Sequence, residues 1–364
     1  MPKLRVGIVY GGRSVEHEVS VASATSILQA LDPARYDVSL IAISQDGRWH
    51  LGAPGMLPES VVAGEEVRLP AVPGERRLVA ASDGRTAAEV DVILPIVHGT
   101  GGEDGSLQGF LELAGVPYVG AGVLGSAVQM DKEVTKRLLA AAGLPVVPGV
   151  LVRSEELATP AAAAAAEDRA LREIGLPAFV KPACLGSSVG VAKVKERGAL
   201  LSALREAARY DTKLLVERAV DGREIEVGVL GNDRPEASAV GEIVPHAEFY
   251  DYESKYVDEG TQLLIPAPIP EETAARAQAL ALEAFRVLEG AGMARVDFFL
   301  DRESGELLIN EVNSLPGFTE ASSMYPRLWQ ASGLSYAALL DRLLDLALER
   351  GRRRGALERS YRRG

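Results

Sequence analysis

Cysteine and long apolar runs are both scarce in this 364-residue sequence. Cysteine occurs once, at Cys184, so the chain cannot form an intramolecular disulfide bond, which is compatible with a reducing cytoplasm. No stretch reaches the ~18 consecutive apolar residues that a membrane-spanning helix needs. The first residues run directly into a strand-like segment and do not have the pattern of a signal peptide. We therefore expect a cytoplasmic protein that does not bind membranes.

Positively charged residues are also fewer than negatively charged ones. The 39 lysines and arginines face 51 aspartates and glutamates, which gives a formal net charge of −12. A general nucleic-acid binder normally carries a basic face that neutralises phosphates. The net negative charge of this chain therefore argues against a nucleic-acid-binding protein. Only 8 of the cations are lysines, so the position of each lysine is informative. Hydrophobic residues make up 47% of the chain, which is enough for a core in two or three domains.

Strand-like and helical segments alternate in the first third of the chain, which predicts an α/β domain with a mostly parallel sheet. The segment between residues 44 and 89 is rich in proline, glycine and charge, and it predicts loops and hairpins. Strands are predicted at 4–9, 36–43, 90–97 and 116–119, and helices at 19–31 and 106–114.

The remainder of the chain has the pattern of α+β lobes. A helix is predicted over 126–142 and ends at Gly143. The arginine-rich tail from Arg350 is expected to be a frayed, solvated end. Further strands are predicted at 146–152, 178–182, 190–195, 214–218, 225–230, 239–243, 295–300 and 306–313, and further helices at 271–289 and 334–349.

Two glycine-rich stretches have the composition of nucleotide-binding loops. Residues 120–125 match G-x-G-x-x-G, but the strand before them is short and no acidic residue follows at the required distance, which favours a glycine turn that joins two lobes. Residues 181–190 lie between two strand-like runs and predict a hairpin loop. The backbone N–H groups and hydroxyls of such a loop suit phosphate oxygens, and Lys181 adds a positive charge. A simple β-turn is the alternative, although it would need fewer small residues.

The clearest pattern is a predicted antiparallel hairpin formed by residues 295–300 and 306–313. If residue 300 pairs with 306, then 297 faces 309 and 295 faces 311, so that Arg295, Asp297, Glu311 and Asn313 share one face. Three oxygen ligands beside an arginine predict a site for a hard cation, and Mg²⁺ prefers a few carboxylates together with substrate phosphates. A surface hairpin with an ion pair is the alternative.

Three polar runs remain. Residues 11–20 and 98–105 each follow a strand, where open α/β sheets bind ligands, and residues 249–256 form an aromatic, charged segment. A packing lid is the alternative for that aromatic segment. His98 can be either a structural hydrogen-bonding residue or a ligand. The other three histidines have no zinc-binding spacing.

Together these motifs resemble the D-alanine–D-alanine ligases, which are ATP-grasp enzymes. The resemblance covers roughly residues 4–345 and rests on seven motifs in the family's order: G-G-R-S-x-E-H-E-V-S, H-G-T-G-G-E-D-G, M-D-K, K-P-x-x-x-G-S-S-V-G, F-Y-D-Y-x-x-K-Y, R-V-D-F and N-E-V-N-S-L-P-G-F-T. It implies an ATP-grasp fold with an N-terminal Rossmann-like, parallel-sheet domain, and usually a homodimer. The implied division is an N-terminal domain at 1–122, a central lobe at 123–216, a C-terminal lobe at 217–349 and a basic tail at 350–364.

The resemblance also implies a reaction and a set of site residues. ATP would phosphorylate one D-alanine, and the amine of a second would displace the phosphate, which yields the dipeptide used for peptidoglycan. Two Mg²⁺ or Mn²⁺ ions would be held by Asp297, Glu311 and Asn313. The implied catalytic residues are Glu16, Ser187, Tyr256, Arg295 and Ser322 or Ser323. The implied substrate-binding residues are Glu16, His98, Lys255, Gly317 and Ser322 or Ser323. The implied ATP-binding residues are Lys132, Lys181, Gly186, Ser187, Ser188, Glu217, Glu224, Lys255, Asn310 and Glu311.

Two points stay open in the sequence. The chain has one residue more than the family usually has between F-T and S-M-Y-P, so Ser322 and Ser323 are both candidates for the second substrate's carboxylate. The segment 249–256 looks like the dipeptide-forming type, but a related ligase with another acceptor, such as D-lactate, is the alternative function. A nucleotide-binding regulator on the same fold would predict loss of a metal ligand or of Arg295, and none is missing. An NAD-dependent reductase is the least favoured interpretation.

Overall fold

A computed structural model describes residues 2–53, 55–245 and 261–358. Among these residues, the strands form one sheet of seven strands, one of four and one of five. None of the helices in the described ranges combines the length and the apolar character that crossing a membrane requires. The helices of the described ranges are α1 (His17–Ala30), α2 (Ser106–Ala114), α3 (Val123–Met130), α4 (Lys132–Ala141), α5 (Pro160–Glu173), α6 (Arg197–Ala207), α7 (Glu271–Val287), α8 (Met324–Ala331) and α9 (Tyr336–Gly355).

The first sheet is built around a parallel centre. Strand β1 (Leu4–Gly11) pairs in parallel with β2 (Tyr36–Ile43) on one side and with β7 (Val92–Pro95) on the other, as the alternating strands and helices predict. The predicted loops and hairpins between residues 44 and 89 form short antiparallel strands that extend this sheet beyond β2. The strands are β1 (Leu4–Gly11), β2 (Tyr36–Ile43), β3 (Trp49–Leu51), β4 (Glu65–Arg68), β5 (Arg77–Ala80), β6 (Thr86–Glu89) and β7 (Val92–Pro95), in the spatial order β6-β5-β4-β3-β2-β1-β7.

The second sheet is antiparallel throughout and has the order β10-β9-β11-β8. Its strands are β8 (Gly149–Arg153), β9 (Ala178–Pro182), β10 (Ala192–Val194) and β11 (Lys213–Arg218). Helix α5 (Pro160–Glu173) begins after Thr159, whose hydroxyl accepts a hydrogen bond from the Ala162 N–H at 3.2 Å. The expected lobe boundary after residue 216 falls inside β11.

The third sheet carries the predicted hairpin and has the order β14-β13-β12-β15-β16. Its strands are β12 (Gly222–Gly231), β13 (Glu236–Val244), β14 (Gln262–Leu264), β15 (Gly292–Asp301) and β16 (Leu307–Asn313). Helix α7 covers this sheet with a buried face that includes Leu280, Ala281 and Phe285.

The helix predicted over 126–142 is wrong in one respect, because two helices, α3 and α4, meet at Asp131. The Asp131 carboxylate accepts hydrogen bonds at 3.1 Å from the N–H groups of Glu133 and Val134. An aspartate that binds the free N–H groups of a first turn favours a new helix start over a continuous helix. This cap sets the start of α4 at Lys132.

The expectation of a frayed, solvated tail from Arg350 is only partly right within the described residues, because residues 352–358 are exposed but the tail is not frayed. Helix α9 continues to Gly355, and its apolar face belongs to the same buried cluster as β1 and β7. The Arg350 guanidinium donates to the Gly120 carbonyl and, at 2.9 Å, to the Tyr118 carbonyl. Its Cζ atom also lies 4.5 Å from the centroid of the Tyr118 ring. The C-terminal helix therefore joins the third sheet to the first.

Candidate active site

The glycine-rich loop between β9 and β10 reaches across to the first sheet. The hairpin predicted around this loop is confirmed, since β9 and β10 pair antiparallel. Ser187 and Ser188 adopt left-handed backbone conformations, with φ of 50° and 58°. Such conformations are uncommon for residues other than glycine and occur often at functional sites. The Ser187 hydroxyl donates to the Glu16 carboxylate, and both residues are 8% exposed.

Gly186 lets the loop approach Glu16 closely. A Cβ atom at this position would lie 3.2 Å from the nearer carboxylate oxygen of Glu16. The loop and the start of α1 therefore form one wall, although they lie about 170 residues apart in the chain.

A buried corner around His98 forms the next part of the site. Ser23 on α1 lies 3.2 Å from His98 Nε2, and Ser14 Oγ donates to the His98 carbonyl at 2.6 Å. Glu103 accepts the Gly99 N–H at 2.7 Å, and its carboxylate lies 3.8 Å from His98 Nδ1. Burial raises the pKa of Glu103 above its usual range, and the nearby Glu16 adds to this effect. Glu103 is not among the residues predicted from the sequence, although it lies inside the H-G-T-G-G-E-D-G motif.

The hairpin of β15 and β16 brings the predicted cluster together, but with a different register. Arg295 pairs with Asn313 and Asp297 with Glu311, whereas the predicted pairs were 295 with 311 and 297 with 309. The predicted register is wrong for two reasons. Residue 300 pairs with 307 instead of 306, and an extra residue between the partners of Asp297 and Phe298 forms a bulge at Asn310.

Arg295 is the centre of this cluster. Its guanidinium donates two hydrogen bonds of 2.7 Å to Asp297 and lies 3.0 Å from Glu226 on the neighbouring strand β12. Burial lowers the pKa of Arg295, but the two carboxylates outweigh this effect and hold the pKa well above its ordinary value. The Asn313 amide donates to Asp297 at 2.9 Å. Sequence reasoning missed Glu226, because nothing in the sequence shows which residue of β12 lies opposite Asp297.

Three lysines, two on α4 and one on β9, converge on the other side of the hairpin. Lys132 Nζ donates to the Leu185 carbonyl at 2.7 Å and lies 3.6 Å from Glu311. Lys181 contacts one carboxylate oxygen of Glu217, and Lys136 contacts the other at 2.5 Å. Lys132 and Lys181 were predicted from the sequence, and Lys136 was not.

Two cavities meet between the sheets. The first has a volume of about 420 Å³, and the second about 530 Å³. Both fall within the range typical of small-molecule sites. The residues that line both cavities are Lys132, Gly186, Ser187, Glu226, Ile243, Arg295 and Glu311.

The predicted residues divide between the two cavities by chemistry. The walls of the first cavity include Glu16, His98, Asn313, Gly317, Ser322 and Ser323. The walls of the second include Lys181, Ser188, Glu217, Glu224, Asp297 and Asn310. The other two predicted residues, Lys255 and Tyr256, lie outside the described residues.

The structure separates the two candidate serines. Ser323 Oγ accepts the Thr319 N–H at 2.9 Å, and the Ser323 N–H donates to the Thr319 carbonyl at 2.9 Å. Ser323 is therefore engaged in closing the turn that precedes α8. Ser322 is exposed and lies on the wall of the first cavity. This arrangement favours Ser322 over Ser323 as a substrate contact.

The donor set of the hairpin fits a hard divalent cation. Asp297 and Glu311 face each other across the strands, and Asn313 adds an amide group next to Asp297. Two carboxylates and an amide leave room for phosphate and water ligands, which is the coordination that Mg²⁺ prefers. Within the described ranges, no group of three or more histidine, cysteine, aspartate or glutamate side chains is arranged to hold a metal ion by itself.

Comparisons with known proteins agree with this geometry. A family model described as "D-ala D-ala ligase N-terminus" matches residues 5–121, and one described as "D-ala D-ala ligase C-terminus" matches residues 138–345. The chain is 54% identical to D-alanine–D-alanine ligase A of Chromobacterium violaceum, with 99% of each chain covered. It is 49% identical to D-alanine–D-alanine ligase A of Escherichia coli K12, with 96% of this chain and 97% of that protein covered.

Solved structures of similar fold point to the same family. The D-alanine–D-alanine ligase of Coxiella burnetii superposes with a TM-score of 0.84 at 38% identity, covering 98% of this chain and 97% of that one. The VanG D-Ala:D-Ser ligase of Enterococcus faecalis has the same TM-score at 33% identity, covering 95% of this chain and 100% of that one. The fold predicted from the sequence motifs is thereby confirmed, and the chain belongs to the D-alanine–D-alanine ligase family.

Proposed function

We propose that this protein joins two D-alanine molecules in an ATP-dependent reaction. The observation that carries the proposal is the junction of the two cavities at Arg295, Ser187 and Glu311. One cavity offers a carboxylate suited to a substrate ammonium, and the other offers lysines suited to phosphates. A carboxylate bound at the junction lies between the two.

The reaction that suits this geometry has two steps. The terminal phosphoryl group of ATP is transferred to a carboxylate oxygen of the first D-alanine, which forms an acyl phosphate and ADP. The amine of the second D-alanine then attacks the acyl carbon, and phosphate leaves as the amine loses a proton. Activation is needed because a free carboxylate is a poor electrophile.

In the first cavity, we assign Glu16 to the ammonium of the first D-alanine. Arg295 and the Gly317 N–H stabilise the oxyanion that develops when the amine attacks. His98 lines the same cavity as Glu16, and we assign it to the first substrate as well. We assign Ser322 to the carboxylate of the second D-alanine. From the family resemblance, Lys255 shares that carboxylate, and Tyr256 joins Ser187 and Glu16 in covering the site.

In the second cavity, the glycine-rich loop and two lysines bind the phosphates. Lys132 and Lys181 supply positive charge, and the backbone N–H groups from Gly186 to Ser188 supply hydrogen bonds. Glu217 and the backbone after it contact the adenine, and Glu224 contacts the ribose. Asn310 is held next to Lys181 by the bulge of β16, with 3.4 Å between its amide oxygen and Lys181 Nζ.

We assign two divalent cations, Mg²⁺ or Mn²⁺, to Asp297, Glu311 and Asn313. When bound, they would offset negative charge on the phosphates during phosphoryl transfer. The two carboxylates and the amide straddle the cavities, because Asp297 lines the second, Asn313 the first and Glu311 both.

The setting of the enzyme follows from the same proposal. We place the reaction in the cytoplasm, where ATP is supplied, and assign the product to peptidoglycan synthesis. We also propose a homodimer and a division into lobes near residues 122 and 216, with β11 wholly in the central lobe.

The deciding experiment is ADP release by purified protein with Mg·ATP and D-alanine, combined with mass spectrometry of the product. We expect release that depends on D-alanine and a product with the mass of the dipeptide. D-serine and D-lactate, each supplied with D-alanine, test the other acceptors. ADP release without D-alanine and without any dipeptide would contradict the proposal, and a preferred ester product would favour the D-lactate ligase.

A further inference from the structure

Lys136 is a buried cation for which the proposed reaction gives no role. It lies on α4, one turn after Lys132, and only 6% of its surface is exposed. Its Nζ atom lies 2.5 Å from the Glu217 carboxylate. Burying an ammonium group is costly unless an opposite charge compensates it, so a lysine at this position calls for a physical reason.

Glu217 connects Lys136 to the second cavity. Its two carboxylate oxygens each contact a different lysine, Lys136 from α4 and Lys181 from β9. Lys181 and Glu217 both line the cavity, whereas Lys136 contacts Glu217 from outside the cavity wall. Any effect of Lys136 on a ligand in that cavity therefore passes through Glu217.

The cluster formed by Lys136, Glu217 and Lys181 holds two positive charges and one negative charge. A pair formed by Lys181 and Glu217 alone would be neutral, and Lys181 would have little charge left to offer a phosphate. With Lys136 present, two cations share one carboxylate, and the cluster keeps one surplus positive charge. That surplus is felt in the cavity, because a buried setting screens charges less than bulk water does.

We propose that Lys136 is a positioning residue that neutralises Glu217 and so leaves Lys181 available to the nucleotide phosphates. This inference rests on the proposed function, because it takes the second cavity as the ATP site. Lys136 touches neither substrate, and it acts through the Lys136–Glu217–Lys181 cluster.

The protonation of Lys136 agrees with this role. Burial is the largest influence and lowers its pKa, and the neighbouring Lys181 lowers it further, while Glu217 and Glu311 oppose the change. The resulting pKa of about 8 leaves Lys136 mostly charged at neutral pH. The same two lysines hold the pKa of Glu217 below its usual range despite its burial.

The test compares nucleotides that differ in phosphate number. Calorimetric titration of the full chain without D-alanine measures the affinity for Mg·ATP, Mg·ADP, AMP and adenosine, in the unmodified protein and in Lys136→Met. We expect about a tenfold loss of ATP affinity. The loss should shrink as phosphates are removed and be smallest for adenosine, which meets Glu217 only through its base. A merely structural role would weaken all four ligands alike, and that result would overturn the inference.

Three further variants sharpen the test. Arg137→Met removes the same charge from the next, exposed residue of α4 and should leave all four affinities unchanged. Lys136→Gln keeps a hydrogen-bond donor without the charge and should behave like Lys136→Met, so full recovery with glutamine would contradict the charge argument. In a Glu217→Gln background, Lys136→Met should cost less than threefold, because no carboxylate then competes for Lys181.

The outcomes separate this inference from the proposed function. Failure of the unmodified protein to bind Mg·ATP would overturn both. Normal ATP binding that Lys136→Met leaves unchanged would overturn the role of Lys136 alone. If Lys136→Met does not fold, Lys136→Gln decides, since it retains a polar group beside Glu217.

Discussion

Replacement of Arg350 by alanine should loosen the contact between the C-terminal helix and the first sheet. In the native protein, this guanidinium donates to the carbonyls of Tyr118 and Gly120 and stacks on the Tyr118 ring. Tyr118 precedes the glycine turn that leads to α3, and Gly120 is the first residue of that turn. The side chain therefore holds the last helix against the connection between the first sheet and the rest of the chain.

The expected loss of stability can be worked out from these contacts. A hydrogen bond from a charged donor contributes about 1.5–3 kcal/mol, and a cation–π contact about 0.5–1 kcal/mol. Burial of the guanidinium offsets part of this sum, and it also lowers the pKa of Arg350. We expect Arg350→Ala to lower the free energy of unfolding by about 2–4 kcal/mol.

Urea unfolding, followed by circular dichroism, measures this change. Arg352→Ala is the matched control, because Arg352 is an exposed arginine on the same helix, and its replacement should cost less than about 0.5 kcal/mol. Hydrogen exchange adds a local readout, with faster exchange expected in the last two turns of α9. Equal losses for the two variants, or no loss for Arg350→Ala, would refute the view that Arg350 anchors the helix.

Three other predictions concern the site. Ser322→Ala should raise the KM for the second D-alanine at least tenfold with little change in melting temperature. Ser323→Ala should instead lower the melting temperature. The reverse pattern would assign the substrate contact to Ser323. Asp297→Asn should weaken Mn²⁺ binding, followed by paramagnetic resonance, by about tenfold or more, and unchanged binding would remove Asp297 from the metal site. The KM for ATP should rise as the pH increases through about 8, because Lys136 loses its proton there and nucleotide binding favours the protonated form. Lys136→Met should lack this part of the pH profile, and an identical profile in both proteins would contradict the assignment.

The sequence predicts those features that depend on local pattern. The alternation of side chains between the two faces of a strand identified the shared face of β15 and β16. The four residues predicted to lie together on that face do so: Arg295, Asp297, Glu311 and Asn313. The hairpin around the glycine-rich loop followed from two strand-like runs and the small residues between them.

The register of the hairpin could not be predicted in the same way. A bulge adds one residue to one strand only, and no single residue type predicts its position. Here the bulge leaves Asn310 unpaired between the partners of Asp297 and Phe298, and both Asn310 and Glu311 line the second cavity. The prediction was therefore right about the cluster and wrong about the pairing that builds it.

Features that depend on distant packing were missed for a different reason. Arg350 looks like the start of a solvated end until Tyr118 and Gly120 are known to lie beside it. Lys136 looks like an ordinary helical lysine until β11 brings Glu217 against α4. In both cases the partner lies more than 75 residues away, so the local sequence carries no sign of it.

The charge at the junction of the two cavities bears on how ATP can bind there. The charged residues that line both cavities are two cations, Lys132 and Arg295, and two carboxylates, Glu226 and Glu311. Their charges balance, so the junction by itself offers no excess positive charge to a triphosphate. The surplus must come from the Lys136–Glu217–Lys181 cluster and from divalent cations that accompany the nucleotide. A chain with a net charge of −12 can thus bind a small polyanion, because its few lysines stand where the carboxylates would otherwise repel it.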